Sequence, residues 1–129
     1  MKTLPTILTV FFTVMFSSPS YAEWTKVSEN SGGTYYVDFE RIRKVDGSLY
    51  YWGLADALKP INGMYLSIKT YNQGDCKLFR FKILSASLHK EPMGGGDGEK
   101  ITPKGEDARW QYPPPNSSTE ETLKTNCSR

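Results

Sequence analysis

Between Ser48 and His89 the sequence alternates large apolar and polar residues along three segments, each closed by turn-forming residues. A period of two places successive side chains on opposite faces of a strand, so this stretch commits the chain to sheet. In Ser48 to about Ala57, Tyr50, Trp52 and Leu54 share one face, while Leu49, Tyr51 and Ala55 share the other. Lys59-Pro60-Ile61-Asn62-Gly63 ends that strand. From Met64 to Tyr71, Met64, Leu66 and Ile68 oppose Tyr65, Ser67, Lys69 and Tyr71. Asn72-Gln73-Gly74-Asp75 reads as the next turn, and Cys76 opens a strand reaching about His89. There Phe79, Phe81 and Ile83 face away from Leu78, Arg80, Lys82 and Leu84. Connections this short join only antiparallel neighbours.

The flanks extend the pattern. Trp24–Ser28 and Thr34–Val37 read as strands around the Asn30-Ser31-Gly32-Gly33 turn, and Asp38 is placed to cap a single helical turn. Asp46-Gly47 favours a type I′ hairpin turn between Ile42–Val45 and Ser48, because both central residues take positive φ. After His89 the chain turns to Gly94-Gly95-Gly96-Asp97-Gly98, read as a flexible connection, then a polar stretch and Pro113-Pro114-Pro115. Ser118-x-x-Glu121 forms a capping box that starts a helix over about Thr119–Cys127. The expected fold is α+β, an antiparallel meander of about five to six strands with a short C-terminal helix.

Lys2, the apolar run Leu4–Phe16 and the small residues Ser20 and Ala22 form a secretory signal, with cleavage expected after Ala22. The apolar run is too short to span a bilayer, which takes roughly 20 residues. Residues 23–129 are then a single exported domain, reaching the membrane only through the signal before cleavage. The residue directly after Ala22 is Glu23, not cysteine, so a lipid anchor at that point is not expected. The chain has two cysteines, Cys76 and Cys127. An even count in an exported protein reads as a disulfide. Closing a loop of about 50 residues removes roughly 4 kcal/mol of unfolded-state freedom in the chain-entropy model. The bridge would also pin down a helix too short to stand alone.

No reaction centre is legible, and neither an enzyme nor a cofactor is expected. His89 is the only histidine, so a zinc cluster is not expected. It reads as a surface residue at a strand end, and Ser85 and Ser87 beside it have no visible orienting acid. The glycine run lacks the Lys-Ser/Thr of a phosphate loop and the carboxylates of a calcium loop. Asp38 with Glu40, and Asp56 with Asp75, read as solvated charges or turn caps. Asn116-Ser117-Ser118 and Asn126-Cys127-Ser128 match the glycosylation acceptor pattern, which matters only on a eukaryotic export route.

The formal net charge is +2, too small to point to nucleic acid. Its distribution is uneven: residues 41–90 hold nine Lys/Arg against three Asp/Glu, and residues 91–121 hold three against seven. Lys69, Lys77, Arg80 and Lys82 fall on neighbouring strands. Their ordinary role is solubility and edge protection. Their functional reading is a patch, chiefly Lys69, Arg80 and Lys82, for an acidic partner such as a host-matrix component or an anionic envelope polymer.

The residue order Trp24, Tyr36-Val37-Asp38, Ile42, Trp52, Asp56, Ser67-x-Lys69, Asp75-Cys76, Gly94-Gly95-Gly96, Trp110, Pro113–Pro115 and Cys127 resembles the bacterial surface-adhesin protein E family. The resemblance covers nearly all of residues 23–129. It implies an antiparallel sheet with the C-terminal helix tied to it through Cys76–Cys127, and a bacterial envelope location. It also implies partners among host matrix or serum proteins such as vitronectin, laminin and plasminogen. A soluble periplasmic protein with a structural or small-ligand-binding role is the alternative.

Overall fold

The computed structural model describes residues 22–129, so the signal segment before Ala22 lies outside the described residues. Seven strands form one antiparallel sheet: β1 (Thr25–Asn30), β2 (Gly33–Val37), β3 (Arg43–Val45), β4 (Ser48–Ile61), β5 (Tyr65–Asp75), β6 (Arg80–His89) and β7 (Glu99–Ile101). Their order is β1-β2-β4-β5-β6-β7, and β3 pairs with β4 beyond the end of β2. One helix, α1 (Ser118–Cys127), follows. The family of elements is the expected one. The added strand is β7, whose three residues are all exposed and so carry no alternation to read.

The turns explain where the boundaries moved. Asp46 and Gly47 take φ of 50° and 82°, the geometry of the expected hairpin. Asn62 and Gly63 close the next one in the same way, with φ of 53° and 72°. β4 therefore runs past Pro60 to Ile61, and the pairing with β5 is interrupted between Asp56 and Ile61, where a proline without an N–H is tolerated. Asn72–Asp75 is strand rather than turn. Gly74 sits in it because a Cβ there would stand 3.1 Å from Leu123 Cδ1 and 3.2 Å from Leu49 Cδ1. The glycine marks close approach of the helix, not a change of direction. The turn falls at 76–79 instead: Asp75 Oδ1 accepts from the Lys77 and Leu78 amides at 3.1 Å each, and Phe79 has φ 51°.

The inner face carries the core. Val37, Leu49, Tyr51 and Phe81 are buried from the sheet side, and Leu123 is fully buried from the helix. A bulge between Tyr71 and Asn72 makes Leu84 the extra residue of β6, leaving it partly exposed. Ser85, Ser87 and His89 consequently follow Arg80 and Lys82 onto the outer face.

The helix cap is one residue earlier than the sequence suggests. Ser117 is the N-cap, its Oγ accepting from the Glu120 amide at 3.1 Å, and Glu120 Oε1 accepts from the Asn116 amide at 2.9 Å. Ser118 and Glu121 are thereby free for another task. Ser28 in β1 donates to Glu121 and lies 3.0 Å from Ser118 Oγ, which also accepts from Asn30 Nδ2 at 3.0 Å. These bonds fasten the helix start to the edge strand, while the Cys76–Cys127 disulfide, Cα–Cα 5.7 Å, fastens its end to the β5–β6 turn. Asn126 is fully buried between these anchors, so it is not an accessible glycosylation acceptor in the folded chain.

Candidate binding faces

The outer face gathers aromatic and basic side chains. Trp52 and Tyr71 are cross-strand partners with ring centroids 4.8 Å apart, and Tyr50 stacks on Tyr71 at 6.3 Å. Arg43, on β3 opposite Tyr50, lies 5.5 Å over the Tyr50 ring and donates to the Tyr71 hydroxyl at 3.2 Å. That hydrogen bond raises the Arg43 pKa further, keeping it charged. At the edge, Gln111 exchanges backbone hydrogen bonds with Phe81, which sets the neighbouring Trp110 against the outer face of β6. Arg80 lies 4.1 Å and Lys82 Nζ 4.7 Å from the Trp110 ring centroid. Contacts of this type contribute about 0.5–2 kcal/mol each, depending on exposure.

Of the predicted patch, Lys69, Arg80 and Lys82 do project from one face, but they do not form one cluster. Arg80 and Lys82 flank Trp110, and Arg80 Nε is paired with Asp75 Oδ2 at 3.0 Å. That pairing, the foremost cause, raises the Arg80 pKa, while Asp75 is lowered by the Leu78 amide first and then by Arg80. Lys69 pairs with Leu54 and Ser87, several rungs away, and its stem packs under Gly94. Lys77 lies in the exposed 76–79 turn and joins neither group. Arg43 and Trp110 were missed by sequence reasoning. The period-two pattern pointed to Tyr50 and Trp52, but Trp110 sits in an irregular stretch whose pairing with β6 leaves no local trace.

The other end of this face is closed by the glycine segment, which is fixed rather than flexible. Met93 N donates to Asp56 Oδ1 and Gly94 N to Ser67 Oγ, each at 2.8 Å, and Ser67 Oγ donates to the Glu91 carbonyl at 2.6 Å. His89 is likewise buried, not on the surface. Its Nδ1–H donates to the Gly95 carbonyl at 3.1 Å, which leaves Nε2 to accept from Ser87 Oγ at 2.8 Å. Gly98 covers the ring: a Cβ there would stand 2.6 Å from His89 Cε1. The Ser87–His89 pair therefore anchors a loop, with a carbonyl where a nucleophile–base pair has its orienting acid.

The carboxylates are separated in the same way. Asp56 and Asp75 occupy opposite ends of the β4–β5 pairing, one holding the loop and the other the turn. Asp38 is buried rather than solvated, with Arg41 Nε at 3.4 Å. Among the described residues no group of three or more His, Cys, Asp or Glu is placed to hold a metal ion.

The inner face differs. Between the first turns of α1 and the sheet lies a groove of about 410 Å³ bounded by Tyr35, Tyr51, Thr70, Asn72, Gln111 and Thr122, among others. Tyr51 is nearly buried at its base, and burial pushes its phenol well above the ordinary tyrosine range.

These observations define the class: a small α+β module whose sheet has one face stapled to a helix and the other left as an aromatic and basic surface. The chain matches the surface-adhesin protein E family over residues 24–128 and belongs to that family. Two structures of Haemophilus influenzae protein E share its fold at 14% identity. One covers 87% of this chain and 92% of its own with a TM-score of 0.65; another covers 89% and 91% with a TM-score of 0.60. No curated protein matches the sequence. Among the described residues no helix is long and apolar enough to cross a membrane.

Proposed function

We propose that this surface-adhesin-like protein is a non-enzymatic binding module that docks an acidic protein or polyanionic partner through the outer face of its sheet. In this reading residues 1–22 are removed after Ala22 on export, and the module acts at the cell surface. The observation that carries it is the placement of Trp52, Tyr71 and Arg43, with Trp110 and Lys82, on the part of the outer face that the glycine segment leaves uncovered. Tryptophan, tyrosine and arginine are the residues on which protein interfaces concentrate their affinity. Arg80 is already paired with Asp75 and held over Trp110, so it positions the ring while Arg43, Lys69 and Lys82 supply the field.

The test uses residues 23–129 on immobilised heparin as the polyanion. Retention should fall as salt rises, because exposed charges are screened over about 8–10 Å. Arg43→Glu with Lys82→Glu should remove retention, and Lys69→Glu should weaken it by a smaller margin, with each variant still folded at the assay temperature and its melting temperature lowered only by the loss of the ring contacts. Retention unchanged in the double variant would sink the reading. Display at the surface is checked by protease accessibility on intact cells; a fully protected pool would favour the periplasmic alternative.

A further inference from the structure

We propose that the groove between α1 and the inner face of the sheet is a binding site for uncharged carbohydrate, a short segment of neutral glycan. This inference is independent of the outer-face reading, since it concerns the opposite side of the sheet.

The groove has the size of a small-molecule site. Not one of the residues bounding it is Asp, Glu, Lys, Arg or His. A charged ligand entering it would lose hydration and meet no counter-charge. An entirely apolar ligand would fail differently, because the floor holds polar atoms that need partners. Asn72 is 4% exposed and its Nδ2 donates to Thr70 Oγ1 at 2.9 Å, which places an amide and a hydroxyl side by side in the lining. Gly53 keeps that pair reachable: a Cβ there would stand 3.3 Å from Thr70 Oγ1 and 3.4 Å from Asn72 Nδ2. The same lining holds Tyr35, a half-buried aromatic side chain, while Tyr51 and Phe81 are almost wholly buried. A sugar ring matches both halves, with its C–H face on the Tyr35 ring and its hydroxyls on the amide and hydroxyl groups. Gln111 and Thr119 stand at the rim and can add hydrogen bonds to the next ring.

The experiment is a heteronuclear NMR titration of residues 23–129 with chitobiose, lactose and maltose, and with the charged hyaluronan disaccharide as a control, each to millimolar concentration. At least one neutral disaccharide should shift the Asn72 and Gln111 side-chain amides saturably, and salt should not alter the affinity. Asn72→Ala should weaken binding by about tenfold or more. Thr119→Trp, an exposed rim residue whose substitution does not touch the core, should abolish it and decides the matter if Asn72→Ala fails to fold. Lys82→Glu should leave it unchanged. The proposal is overturned if no neutral sugar moves those amides, if the charged disaccharide occupies the groove as tightly, or if binding survives both groove variants.

Discussion

The two faces of this sheet come from alternate residues of the same strands, yet they are finished in opposite ways. On the inner face Leu49 and Tyr51 pack around Gly74 with Leu123 of α1, Phe81 is buried beside its partner Gln111, and a groove without charged side chains lies next to them. On the outer face Tyr50, Trp52, Tyr71 and Trp110 remain half-buried with guanidinium and ammonium groups laid against them. The inner face is stabilised from outside the sheet, by a disulfide at one end of the helix and the Ser28–Glu121 bond at the other. The outer face is stabilised within the sheet, by cross-strand pairs and the 91–98 loop. Each face can therefore lose its support without the other being touched.

The largest expected effect comes from severing the inner support. Cys127→Ser should cost about 4 kcal/mol in the chain-entropy model, read as a shift of the urea midpoint. Native-state hydrogen exchange should show the amides of α1 losing protection first, while β4 and β5 keep theirs, because ten residues of helix cannot persist without tertiary contacts. Equal loss of protection in helix and sheet would show that the two faces form one cooperative unit.

A second substitution strikes the outer side. Gly98→Ala introduces a Cβ only 2.6 Å from His89 Cε1, and the ring cannot yield without breaking its bonds to Gly95 and Ser87. A destabilisation of about 1–3 kcal/mol should follow, the usual range for overpacking. Amides of residues 93–95 should exchange faster while α1 stays protected. A helix that loosens instead would mean that the loop end and the helix are coupled through the sheet.

Most of this architecture was legible in the sequence, because period-two alternation and Asp-Gly geometry are local signals. Gly74 and Gly98 show where that reading ends. Both looked like turn or linker residues, and both are glycines because a distant side chain, Leu123 or His89, needs the space. Their cause lies elsewhere in the chain. The same holds for Trp110, placed by a single bridge between Phe81 and Gln111. The basic patch was half legible: the sequence placed Lys69, Arg80 and Lys82 on neighbouring strands, but only the structure shows them on one face, with Arg80 committed to Asp75. The neutral groove was not legible, since it is bounded by residues from several strands, the segment at Gln111 and the helix start that only the fold brings together.

The smallest expected effect concerns Asp75, the residue that serves both faces. Its Oδ1 holds the turn that carries Cys76, the helix anchor, through the Leu78 and Lys77 amides; its Oδ2 holds Arg80 against Trp110. The Leu78 amide first, and Arg80 with it, keep the Asp75 carboxyl below its ordinary pKa in the folded chain. A group whose folded pKa is depressed contributes stability above its unfolded value, near pH 4, and loses it as the pH falls through the folded value. The urea midpoint should therefore decline through acid. Asp75→Asn keeps an acceptor for the two amides but has no charge to titrate, so it should start slightly less stable at neutral pH and decline less steeply below about pH 4. Trp110 fluorescence and helix exchange report the two faces separately. If protonation moves Trp110 before α1, the Arg80 bond is the weaker of the two links. If both move together, the Asp75 turn is the point at which the two otherwise separable faces are joined.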